Sequence, residues 1–175
     1  MSEIFHLQTP NSYKNLVGTK EISLIAASPN TLGEAVTLGN ISLNLTNSEL
    51  PVYIKGSIPV QIQPITFGTG SGNVDLVLNI YNYAQSANPI YSAQKTILYS
   101  TGISSITTPK VSNILTFEFL DTPDNSYGFT NKNYVFIVQL YSSVAITTGN
   151  VNLNSPSASF PSKTSYFNIS AQQIS

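Results

Sequence analysis

From Val52 to Gln63 the chain alternates with period two: Val52, Ile54, Gly56, Ile58, Val60 and Ile62 fall on one side, Tyr53, Lys55, Ser57, Pro59, Gln61 and Gln63 on the other. Successive side chains of a strand point to opposite faces, so this run predicts a strand with one face in a core. The alternation returns at Ile22, Leu24 and Ala26, at Ile41, Leu43 and Leu45, at Val74, Leu76, Leu78 and Ile80, and at Leu115, Phe117 and Phe119. Turn clusters such as "ASPNTLGE", "FGTGSGN" and "DTPDNSYG" separate the runs, and no window shows a helical period free of a breaker. Short strands punctuated in this way predict an all-β fold, an antiparallel jelly-roll sandwich. The segment "YVFIVQLY" (Tyr134–Tyr141) is apolar on both faces and predicts a central strand covered twice. Gly56 predicts a bulge or a close approach. Pro59 cannot donate to a ladder, which predicts an edge or a bend at that point.

The outer faces of these strands are unusual. Charged residues make up 9% of the 175-residue chain, where a soluble domain typically carries about 25%. Ser, Thr and Asn together account for 59 residues, there is no Arg, and seven Lys stand against eight acids. Such a chain has no basic patch for a phosphate backbone, which excludes nucleic acid as the expected partner. With 41% hydrophobic residues it nevertheless has the material for a core. Net charge normally keeps copies of a protein apart, so a neutral hydrogen-bonding surface points to self-association. No apolar run approaches the 18 residues of a membrane span, and "MSEIFHLQTPNSYKN" lacks the pattern of a secretory signal.

Chemistry-bearing residues are sparse. Glu118, Asp121 and Asp124 cluster in "FEFLDTPDNSYG", but the spacing of a calcium loop is absent and a strand end followed by a capped turn accounts for them. His6 is the single histidine and there is no Cys, so neither a metal set nor a catalytic triad can be assembled within one chain. The Gly-rich "FGTGSGN" joins two strands and lacks the helix and Lys of a phosphate cradle. The expectation is a protein that is not an enzyme and takes no cofactor. Tyrosines such as Tyr53, Tyr81 and Tyr83 suit either sugar stacking or a half-buried subunit contact.

Residues 1–20 show no alternation and hold Ile4, Phe5, Leu7, Tyr13 and Val17 around Pro10. They are expected to form an extended arm that docks on a neighbouring subunit, ahead of a jelly roll over 21–175; an extended peptide gains main-chain hydrogen bonds by completing a sheet edge. The near-neutral outer face around Tyr53, Lys55 and Pro59, together with Tyr81, Tyr83 and Tyr141, is the expected subunit interface, since an edge left open normally carries more charge.

The order "GEAVTLGNISLNL", "LPVYIKGSIPVQI", "VDLVLNIYN", "NYVFIVQLY" and "TSYFNISAQ", over roughly residues 20–175, resembles the tumour-necrosis-factor and complement-type jelly rolls. The likeness is to the trimeric versions on spores of Bacillus and Clostridium relatives in particular. "NLVG" at Asn15–Gly18 is similar to the middle of the leader that attaches exosporium proteins, although neither its Pro-rich continuation nor a Gly-X-Y tract is present. The resemblance implies a homotrimer that assembles further, with itself and with other spore-surface proteins, into a surface layer or filamentous appendage. It implies a location on a spore or particle surface, reached without a secretory signal. The alternatives are a glycan- or receptor-binding module, as on a phage fibre tip or adhesin, and a viral capsid jelly roll.

Overall fold

The computed structural model describes residues 12–23, 32–62, 71–82, 87–100, 111–122, 131–142, 150–152 and 166–174. Among the described residues ten strands follow in order: β1 (Tyr13–Gly18), β2 (Glu21–Ser23), β3 (Val36–Asn44), β4 (Val52–Ile62), β5 (Ser71–Asn82), β6 (Tyr91–Ser100), β7 (Val111–Asp121), β8 (Asn131–Ser142), β9 (Asn150–Asn152) and β10 (Phe167–Gln173). They form two antiparallel sheets. In the first, β4 pairs with β7 along one side and with β10 and then β9 along the other, while β1 and β2 pair the far sides of β10 and β9. β1 and β2 thus share one lane of the sheet, and β9 and β10 share another. The second sheet has the order β3-β8-β5-β6.

Counted as lanes along the chain, the first pairs the eighth, the second the seventh, the third the sixth and the fourth the fifth. That is a long antiparallel ribbon wrapped on itself: a jelly roll, identified by register alone.

The alternating aliphatics meet between the sheets. Val52, Ile54, Ile58 and Val60 of β4 face Val74, Leu76, Leu78 and Ile80 of β5 and Tyr134, Phe136, Val138 and Leu140 of β8, all at most 2% exposed. As predicted, β8 is a central strand, flanked by β3 and β5, though its outer residues Val135, Ile137 and Tyr141 are half-buried rather than fully covered. One open side of the sandwich is closed by aromatic rings: Tyr91 of β6 lies 5.0 Å from Phe119 and 6.2 Å from Phe117 of β7, centroid to centroid. On the core side of the first sheet two half-buried glycines lie under rings. Gly18 sits opposite Phe167 and beneath it, and Gly56 sits opposite Phe117 and beneath it. Gly56 is therefore the close approach, and the bulge falls elsewhere, at Leu38 between Thr37 and Gly39.

Two expectations are corrected. Pro59 does not mark an edge: β4 is an interior lane, paired with β7 throughout, and Pro59 is buried. On its other side the β10 ladder stops at Ser57 and the β9 ladder starts at Gln61, so among the described residues Ile58, Pro59 and Val60 have no ladder partner there. A residue without an N–H fits that break. The second correction concerns the arm. Tyr13–Gly18 is a strand of this chain's own sheet, in register with β10 from Tyr13↔Gln172 to Gly18↔Phe167. Ser12 is fixed too, receiving the Gln173 N–H at 3.0 Å and donating its hydroxyl to the Asn44 carbonyl. The jelly roll thus begins ahead of residue 13, not at 21. Ile4, Phe5 and Leu7 lie outside the described residues.

Where β7 leads toward β8, Asp121 joins the two sheets. Its Oδ2 accepts from Lys132 Nζ at 2.5 Å and from the Tyr134 hydroxyl at 2.6 Å. Burial, and then the charge and hydrogen bond of Asp121, hold the Tyr134 phenol far above its ordinary value of 10. A pKa raised in the folded state contributes stability that is complete below the unfolded value and declines as pH rises past it. This contribution is therefore intact below pH 10 and falls by about 1.4 kcal/mol per pH unit above it. Tyr134→Phe is expected to flatten the alkaline arm of the stability profile, read from urea midpoints at rising pH; an unchanged arm would place alkaline sensitivity elsewhere.

Candidate functional site

Among the described residues no three His, Cys, Asp or Glu side chains gather into a metal-binding group. What the fold builds instead is a broad polar face and an open edge.

The outer face of the first sheet follows from the registers. Three rows cross it from β1 through β10 and β4 to β7: Tyr13–Gln172–Tyr53–Leu120, Asn15–Ser170–Lys55–Glu118, and Val17–Asn168–Ser57–Thr116. Lys55 and Glu118 are the two charges in these rows and stand on the same rung, yet they form no ion pair. Glu118 Oε2 instead accepts the Tyr53 hydroxyl at 2.8 Å, and the Lys55 ammonium lies 5.8 Å from the centre of the Tyr53 ring. That hydrogen bond, with smaller help from desolvation and the Glu118 charge, raises the Tyr53 pKa. A groove of about 380 Å3 opens beside these charges, lined by Tyr13, Lys55, Gly56, Ser57, Phe117, Glu118, Asn168 and Ser170. Tyr13 is 52% exposed at its rim.

The residues expected to form one interface are divided between the two sheets. Tyr53, Lys55 and Pro59 lie on the outer face of the first sheet. Tyr81 and Tyr141 lie on the outer face of the second, beside the inward-facing Ile80 and Leu140. Tyr83 lies outside the described residues. The second face is knit by hydrogen bonds: Ser92 donates to Asn79 Oδ1 at 2.7 Å, Asn79 donates to Gln139 Oε1 at 3.4 Å, and Gln139 donates to the Gly33 carbonyl at 3.2 Å. Asp75, 6% exposed, accepts from Asn73 through Oδ2, while its Oδ1 has no hydrogen-bond partner among the described residues. Parity in the strands correctly places Tyr53, Tyr81 and Tyr141 off the core; it carries no information about which sheet a strand joins.

The open edge was not anticipated. β6 ends one sheet and β7 ends the other, on the same side of the sandwich, where the Tyr91 cluster joins them. Neither has an outer ladder partner among the described residues. β6 is 10 residues long with Lys95 as its one charge, and β7 is 11 residues long with Glu118 and Asp121. Leu98 is 75% exposed, Ile114 52% and Leu120 44%. On the opposite side, the short β1 carries Lys14 and β3 is broken by its bulge.

No protein-family model matches the chain, and no curated protein matches it significantly. Among solved structures it is similar to the VP2 subviral particle of infectious bursal disease virus, at 11% identity with a TM-score of 0.31, over 91% of this chain and 37% of that one. It is also similar to the structure of that virus's Gx strain, at 10% identity with a TM-score of 0.35, over 91% and 37% of the two chains. The chain thus spans little more than a third of the length of these distant neighbours. The two-sheet architecture stands on the strand registers.

Proposed function

We propose that this jelly roll is a structural, self-assembling subunit of a spore-surface layer or appendage, in which copies meet along the β6–β7 side. The observation that carries the reading is the pair of long edges on that side, uncharged over most of their length, with Leu98 75% exposed. Unpaired edge strands are templates for another chain. Proteins that stay monomeric blunt them with Lys, Pro, bulges or short length, devices largely missing from β6 and β7. The low charge of the whole chain acts in the same direction, since little repulsion opposes the approach of a second copy.

Two changes separate the edge from the N-terminal segment. Leu98→Lys places a charge on an exposed edge position without touching the core, and removal of residues 1–11 leaves β1 intact. Purified wild-type protein is expected to form assemblies visible by negative-stain electron microscopy and to sediment accordingly. Leu98→Lys is expected to sediment as a smaller species with an unchanged melting temperature. If the wild type is monomeric at every concentration, or Leu98→Lys assembles like wild type, the edge reading is wrong. Loss of assembly on removing residues 1–11 alone would move the contact to the N-terminal segment.

A further inference from the structure

We propose that the groove on the outer face of the β1-β10-β4-β7 sheet is a binding site for an uncharged saccharide. This goes beyond assembly and uses a different surface: the groove lies across the sheet face, whereas the edges are needed for contact between copies.

The first argument is the pair of charges. Lys55 and Glu118 face each other across a rung, where opposite charges ordinarily come together. Tyr53 keeps them apart by donating its hydroxyl to Glu118 while Lys55 stays near its ring. One carboxylate oxygen takes this bond, and the remaining acceptor capacity of Glu118 and the donors of Lys55 face the groove.

The second argument is the rest of the lining. Ser57 and Ser170 each supply a hydroxyl that both donates and accepts, and Asn168 supplies an amide with both functions. Vicinal hydroxyls of a sugar also donate and accept, so they match such a set group for group. The third is the rim. The Tyr13 ring is half exposed beside these polar groups, offering a flat apolar surface to the C–H face of a pyranose.

Other ligand classes fit less well. A phosphate or sulfate would meet one Lys and, on the same rung, a carboxylate that repels it. An apolar molecule would displace water from a lining that is mostly hydroxyl, amide and charge. A peptide strand seeks main-chain partners at a sheet edge, which the face of a sheet does not present.

The test is a ¹H–¹⁵N correlation titration of the full-length Leu98→Lys chain, the small species that leaves the groove untouched, with lactose, maltose, cellobiose and N,N′-diacetylchitobiose, and with inorganic phosphate as the anionic control. At least one sugar is expected to shift Lys55, Ser57, Glu118, Asn168 and Ser170 in a saturable way, with phosphate silent. Tyr13→Ala is expected to weaken that binding by about tenfold, the scale of one lost aromatic contact. Asn168→Ala, at an exposed position, should weaken it while leaving the melting temperature unchanged. The proposal is overturned if no sugar perturbs these residues, if the shifts lie elsewhere, if both variants bind like wild type, or if phosphate alone binds. Because assembly is measured separately, failure here leaves the edge reading standing, and the reverse also holds.

Discussion

Asp121→Ala is expected to lower unfolding stability by about 3 kcal/mol, because it strips a partly buried charge and a buried hydroxyl of their shared partner. Lys132 and Asp121 have side chains only 13% exposed, and Tyr134 is fully buried. Breaking a buried pair by removing one member typically costs about 3–5 kcal/mol, since the remaining charge stays desolvated without compensation. The residual exposure lets water reach Lys132 and moves the estimate to the low end of that range. The Tyr134 hydroxyl, 2.6 Å from Asp121 Oδ2, would be left without that acceptor. Asp121→Asn separates the two contributions: it keeps an oxygen for Tyr134 and removes the attraction for Lys132, so about half the loss is expected. Urea denaturation with an unchanged m-value measures both. If Asp121→Ala unfolds at the wild-type midpoint, the carboxylate does not hold the sheets together at this corner. A weakened corner would also free the end of β7, so the same variant links the clamp to the proposed contact edge.

Much of the fold was legible because it depends on parity. Val52, Ile54, Ile58 and Val60, and likewise Val74 through Ile80, lie inward wherever a strand is placed, and period-two alternation states that directly. Lane order is another matter. Whether β4 is an edge depends on where β9 and β10 begin and end, about a hundred positions further along the chain. Pro59 looked like an edge marker because the constraint it imposes is local; one broken stretch of ladder on one side satisfies it. β1 escaped recognition for a related reason. By register its core-side positions are Lys14, Leu16 and Gly18, of which only Leu16 is hydrophobic: Lys14 is exposed at the edge, and the Phe167 ring fills the space that a larger side chain at residue 18 would occupy. The groove was not legible at all. Tyr13, Lys55, Glu118 and Asn168 come from four strands, and only the registers bring them into adjacent rows. The tyrosines did stand out in the sequence, but the polar partners Ser57, Asn168 and Ser170 are three among the many Ser and Asn of this chain.

Gly56→Ala is expected to destabilise the protein by about 2 kcal/mol, against the usual direction for a glycine within a strand. In the generic case Ala reduces the entropy of the unfolded chain and improves strand propensity, gaining about 0.4–1 kcal/mol. At this position a Cβ would come within 2.7 and 2.8 Å of the Phe117 ring and 2.9 Å of the Asn168 carbonyl oxygen. Phe117 alone would yield by a small tilt, but it packs against Tyr91 at the corner of the sandwich, and the carbonyl belongs to the β10 backbone paired with β4. Relief therefore requires movement of a neighbouring strand, and overpacking of that kind typically costs about 1–3 kcal/mol. The steric term exceeds the entropic one, which sets the sign. Gly18→Ala is the matched comparison: its Cβ would meet the Phe167 ring at 2.8 Å, with ring atoms as its nearest contacts, and it lies in an edge lane. It should cost less than Gly56→Ala in the same urea titration. Equal losses at both sites would mean that the ring contact alone sets the penalty, and a stabilising Gly56→Ala would mean that the close approach of β10 is not what selects glycine there.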